Sequence, residues 1–67
     1  MSKSYTSAIE YELARGKLGK IAKLLSQFGK YKGYPVQQIV SILEQRVKEL
    51  KALRHDDIVI AQMIEEE

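Results

Sequence analysis

Apolar residues recur at helical spacing through the first half of the chain. Tyr11, Ala14, Leu18, Ile21, Leu25 and Phe28 follow one another at steps of 3, 4, 3, 4 and 3, and Ala22 widens the stripe. That period marks one face of an amphipathic helix. Ser7-Ala8-Ile9-Glu10 fits the capping-box pattern, so the helix is expected to begin near Ala8. Gly29 stands where a C-terminal cap would sit, directly after Phe28. The pattern predicts a helix over 8–28. Gly16 and Gly19 each weaken a helix interior by about 1 kcal/mol relative to alanine, so a kink or break near them is expected. A second period competes at the start. Tyr5, Ser7, Ile9, Tyr11 and Leu13 alternate with Thr6, Ala8, Glu10 and Glu12, as in a strand over 5–13. The helix is preferred because capping box and stripe agree.

Residues 30–34 read as a loop, and Pro35 suits the first turn of a second helix. Over 35–54, Val36, Ile39, Val40, Leu43, Val47, Leu50 and Leu53 make a broad apolar face, with Glu44 and Lys48 as an i, i+4 pair outside it. Arg54-His55-Asp56-Asp57 interrupts that face. Asp56 or Asp57 can cap a third helix over 57–65; the alternatives are a continuous helix with Arg54 and Asp57 on the seam, or a strand in "DIVIAQMI". Helix formers at Ala61, Gln62 and Met63 favour a helix, with Glu65, Glu66 and Glu67 as a frayed tail.

The expected fold class is therefore all-α, a small helical hairpin or three-helix unit forming one domain over 1–67. Sixty-seven residues bury a thin core. Cysteine is absent, so no disulfide or thiolate metal site supplements it. Ile9, Leu13, Val59 and Met63 lie off the main stripes and imply a second buried surface. A homodimer or docking on a larger protein would cover it, with Val36, Ile39, Val40, Leu43, Val47 and Leu50 as the candidate protein interface. The other solution is a third segment that folds back to complete a monomer.

Charge then narrows the function. Over 13–35 the charged residues are Arg15, Lys17, Lys20, Lys23, Lys30 and Lys32, with no acidic residue among them. Over 36–67 four basic residues face seven acidic ones, and the whole chain is only +2. Such asymmetry suggests a polyanionic partner. Lysines on one face can neutralise phosphates, and Tyr31 and Tyr34 beside Lys32 can stack on bases. The six basic residues with Tyr31 and Tyr34 are the candidate nucleic-acid-binding set; a solvated helix face and packing tyrosines are the plainer reading.

Enzymatic chemistry finds little support. His55 with Asp56 and Asp57 is the sole acid/base cluster, and it reads better as a capping aspartate beside an exposed histidine. No phosphate loop, nucleophile motif or metal-ligand spacing occurs, so no cofactor, metal or small-molecule substrate is expected. The segment "MSKSYTSAIE" lacks a signal-peptide core, and no apolar run approaches the ~20 residues of a membrane span, so a soluble cytoplasmic protein is expected.

Two short resemblances bear on nucleic acid. Gly16-Lys17-Leu18-Gly19 resembles, over those four residues, the GXXG loop of the K-homology RNA-binding domain. In that domain the loop joins two helices, whereas here the joint is expected at Gly29 to Pro35, so the match reads as chance. "KIAKLLSQFGKYKGYPVQQIVSIL" is vaguely similar to a helix-turn-helix, which would turn Gln37, Gln38 and Ser41 to base edges, but its loop exceeds the usual turn. The expected function is a non-enzymatic accessory or regulatory protein that docks through apolar helix faces and contacts DNA or RNA through residues 15–32. The alternative is a protein–protein interaction module, an inhibitor or small subunit, without nucleic-acid contact. A dimeric β-ribbon DNA reader built on residues 5–13 is a third reading.

Overall fold

The computed structural model of the chain describes residues 5–66; Glu67, expected in the frayed tail, lies outside them. The described residues form four α-helices and a 3-10 turn, in the order α1 (Thr6–Ala14), α2 (Leu18–Gln27), the 3-10 turn Gly29–Tyr31, α3 (Val36–Ala52) and α4 (Asp57–Glu66). Among the described residues there is no strand. The strand over 5–13, and the β-ribbon reader built on it, are thereby overturned.

The helix expected over 8–28 is two helices, divided at Gly16, near which a kink or break was expected. Gly16 takes φ +70°, in the left-handed region that glycine enters without a Cβ penalty. Its N–H donates to the Leu13 carbonyl at 3.0 Å, and the Lys17 N–H donates to the Glu12 carbonyl at 2.8 Å. These two bonds are the Schellman termination of α1. The stop resets the helical phase. Ile9 and Leu13, off the predicted stripe, become the buried residues of α1, whereas Tyr11 on that stripe is 62% exposed. In α2 the stripe survives, and Ile21, Ala22 and Leu25 are buried.

The capping box does not form. Ser7 lies inside α1 and is exposed, and Tyr5 at the N-cap makes no side-chain cap. The cap comes instead from 60 residues away: the Glu65 carboxylate accepts from the Tyr5 N–H and, at 2.7 Å, from the Thr6 hydroxyl. A carboxylate at a helix N-terminus is favoured by the helix dipole. The contact also fixes α4 antiparallel to α1, since the end of one meets the start of the other.

Pro35 is the N-cap of α3 rather than its first residue, so the helix starts one residue later than expected, and the Pro35 carbonyl accepts from the Gln38 and Ile39 N–H groups. At its other end α3 stops in the same way as α1. Arg54 sits at φ +68°, its N–H donates to the Lys51 carbonyl, and the His55 N–H donates to the Leu50 carbonyl. Arg54 is exposed and lies outside both helices, which removes the continuous-helix alternative with Arg54 on a seam. Asp56 then starts α4, its Oδ1 accepting from the Val59 N–H at 3.1 Å, as the sequence led one to expect.

Packing is pairwise, α1 chiefly on α4 and α2 chiefly on α3, with α1–α2 and α3–α4 contacts joining the pairs. Ile9, Leu13, Ile21, Leu25, Ile39, Leu43, Leu50, Ile60 and Ile64 form the centre, completed by Ala22, Val47 and Ala61. Full burial of each large aliphatic side chain contributes roughly 1.5–3 kcal/mol. Of the second surface signalled by Ile9, Leu13, Val59 and Met63, Ile9 and Leu13 are buried and Val59 and Met63 part-buried where α1 packs on α4 of the same chain. The face proposed for a partner is likewise used internally. Ile39, Leu43, Val47 and Leu50 are buried beneath the chain's own helices, and Val36 and Val40 are half-buried against the same cluster. No helix is long and apolar enough to cross a membrane among the described residues.

Candidate functional site

The basic residues are carried by one stretch of chain that starts at the α1–α2 joint. Lys17 is the N-cap of α2, and Lys20 and Lys23 follow at steps of three on the side opposite Ile21 and Leu25. Lys30 lies in the 3-10 turn and Lys32 directly after it. All five lysines are exposed. None of them has an ion-pair partner among the described residues. Arg15 differs. Its Nη1 pairs with Glu12 Oε1 at 3.4 Å, and its guanidinium lies 5.0 Å from the centre of the Tyr11 ring. The Lys30 ammonium stands 6.0 Å from the Tyr31 ring centre.

These charges do not serve the stability of α2. Lys17 and Lys20 lie at its N-terminus, where the helix dipole opposes cations by about 0.3–1 kcal/mol. Lys17–Lys20 and Lys20–Lys23 are like-charged neighbours at i, i+3, which cost a few tenths of a kcal/mol each (roughly 0.2–0.5). A surface needed only for solubility would interleave acids, and residues 13–43 contain none.

Beyond α2 the surface becomes aromatic. Phe28 leaves the helix in an extended conformation, φ −135° and ψ 153°, so it drops off the α2 stripe. It is 49% exposed, against the expectation that it belongs to the core. Its ring centre lies 5.7 Å from that of Tyr5. Tyr31 is half-buried and packs on the core, and Tyr34 meets it edge to face at 5.5 Å and 87° while remaining 43% exposed. The loop is held in shape by its backbone. The Gly33 N–H donates to the Ser26 carbonyl at 2.9 Å, and the Tyr34 N–H donates to the Tyr31 carbonyl at 2.9 Å. Gly29 and Gly33 both adopt positive φ, which a side chain would strain. The Tyr5 hydroxyl lies against Gly29, 3.3 Å from where a Cβ would stand. Burial there, and secondarily the Glu65 charge, raises the Tyr5 phenol above its ordinary range.

The structure therefore gathers Lys30, Tyr31, Lys32 and Tyr34 at one loop and extends them along α2 through Lys23, Lys20 and Lys17. Phe28 is the member that periodicity missed. The signal was Gly29 itself, since a residue preceding a helix-ending glycine need not share the helix phase. Of the segment Gly16–Gly19, where a kink or break was expected, Gly16 and Lys17 lie in the joint between α1 and α2, and Leu18 and Gly19 already belong to the first turn of α2. Residues 28–35 separate α2 from α3, longer than a helix-turn-helix turn. Gln37 and Gln38 are exposed at the start of α3, and the Ser41 hydroxyl donates to the Gln37 carbonyl at 3.3 Å. Of the acid/base cluster, Asp56 is committed to capping α4.

No protein family matches the chain, and neither the curated proteins nor the solved structures compared with it include a similar one.

Proposed function

We propose that the protein is a small nucleic-acid-binding accessory protein that engages the phosphate backbone through Lys17, Lys20, Lys23, Lys30 and Lys32. The observation that carries this reading is the run of five exposed lysines that have no ion-pair partner among the described residues, in a stretch of sequence free of acids from residue 13 to 43. Each lysine that meets a phosphate releases condensed counterion, so affinity follows the number of contacts and falls with salt. The apolar residues of α3, buried within the chain, contribute by holding α2 on α3, which keeps the lysine side turned outward. The reading needs no catalytic group.

A mobility-shift titration at low salt tests it. The wild-type chain is expected to retard DNA or RNA probes, and Lys20→Glu/Lys23→Glu to lose most of that affinity while staying helical by circular dichroism. Absence of any shift at low salt, or a shift untouched by the charge reversal, refutes the reading.

A further inference from the structure

We infer that residues 28–34 form a stacking platform for unpaired bases, which makes the ligand a single-stranded nucleic acid. The inference rests on the backbone reading above and names the ligand class of the same surface. Phosphate contact alone does not need aromatic rings. Here two half-exposed rings, Phe28 and Tyr34, flank Lys30 and Lys32 in the chain directly after α2, and the Lys30 ammonium lies 6.0 Å from the Tyr31 ring that Tyr34 meets. Each ring is backed by a second one, Phe28 by Tyr5 and Tyr34 by Tyr31. Their orientation is thereby fixed before any ligand arrives, and less ordering entropy is lost on contact. The loop backbone is tied to α2 at Ser26, which fixes the rings relative to the lysines.

A duplex offers no base faces except at its ends, so rings placed this way would lie idle against it. The lysine-bearing side of α2 also lacks side chains suited to reading base edges: between Lys17 and Lys23 the exposed residues other than lysine reduce to Gly19. A single strand uses both parts, its phosphates on the lysines and its bases on the rings. An anionic membrane surface would meet aromatic and basic residues at a loop tip. It gives no reason for the lysines to continue about 9 Å along a helix from Lys17 to Lys23, whereas a linear polyanion does.

The test measures binding of oligothymidylate, a duplex of equal length, inorganic polyphosphate, and vesicles of mixed phosphatidylserine and phosphatidylcholine. The expected result is tighter binding to oligothymidylate than to the duplex. Tyr34→Ala and Phe28→Ala should each weaken oligothymidylate binding about tenfold, the loss of one stacked base. Both should leave polyphosphate binding unchanged, and Tyr34→Phe should retain the wild-type affinity because the ring, not the hydroxyl, does the stacking. The chain has no tryptophan, so its tyrosine emission reports directly. Oligothymidylate should quench it and polyphosphate should not. Circular dichroism of each variant separates loss of stacking from loss of fold.

Equal loss for oligothymidylate and polyphosphate in folded Tyr34→Ala overturns the inference, as does no loss for either. In the second case the backbone reading survives. Preference for the duplex also overturns it. So does vesicle binding that depends on Phe28 and Tyr34 and exceeds oligothymidylate binding. Failure to bind any of the polyanions removes the backbone reading and this inference together.

Discussion

The two glycines of the α1–α2 region should respond to the same substitution with opposite signs. Gly16 holds φ +70° and has nothing within 4 Å of where a Cβ would stand, so Gly16→Ala meets no clash. What it meets is the left-handed backbone, which costs an L-residue about 1–2 kcal/mol. Alanine recovers part of that by restricting the unfolded chain, leaving a net loss of about 1 kcal/mol. Gly19 has ordinary φ in the first turn of α2 and is equally open. Gly19→Ala therefore gains helix propensity without strain, about 0.5 kcal/mol at a position near the helix start. A chain of this length is expected to have a total stability of only roughly 3–10 kcal/mol, so both changes are readable. With a urea slope of about 1 kcal/mol/M, the midpoint should fall by about 1 M for Gly16→Ala and rise by about 0.5 M for Gly19→Ala. Urea unfolding followed by circular dichroism gives both numbers. A single helix over 8–28 places both glycines in a helix interior and predicts that both alanines stabilise by up to about 1 kcal/mol. A rise in the midpoint of Gly16→Ala would refute the helix break and the phase reset that follows from it.

Arg54→Gly should raise stability by about 1 kcal/mol, because Arg54 holds φ +68° at a helix end where glycine is the usual residue; thermal unfolding reads it directly. Asp56→Ala should cost about 1 kcal/mol by leaving the Val59 N–H without its cap, and Asp56→Asn should recover most of that loss in the same melts. The raised Tyr5 phenol sets a pH dependence. The unfolded chain ionises first as pH rises past the ordinary value of 10.0, so the stability held below that pH is lost above it. Tyr5→Phe should flatten the decline, and an unchanged alkaline slope in denaturant titrations would disprove the assignment.

The parts legible in the sequence are those where pattern and local chemistry act within one element. The α3 face is the plainest case, since Ile39, Leu43, Val47 and Leu50 sit four, four and three residues apart and all four are buried. The Asp56 cap is another, because it involves only the three residues that follow. The first helix differs from its pattern for a physical reason. Gly16 is a left-handed stop rather than a weak helix residue, so a stripe carried across it in one phase misplaces α1. Once the phase resets, Ile9 and Leu13 replace Tyr11 and Ala14 as the buried pair of α1, the helix that packs chiefly on α4. The Glu65 cap on α1 is not readable at all, because it joins residues 60 apart in the chain and competes with a local Ser7–Glu10 pattern that fits equally well on paper. Of the candidate surface, the lysines are evident from composition alone. The ring pairs are not, since Phe28 leaves its helix only because the backbone turns extended one residue before Gly29.

The salt dependence of oligothymidylate binding tests the central claim most directly. If Lys17, Lys20, Lys23, Lys30 and Lys32 each meet a phosphate, the plot of log affinity against log salt should have a slope of about −3.5, at about −0.7 per single-strand contact. Replacing Lys20 and Lys23 by glutamine should flatten it to about −2. A slope near zero, or one that the double substitution leaves unchanged, would contradict the account.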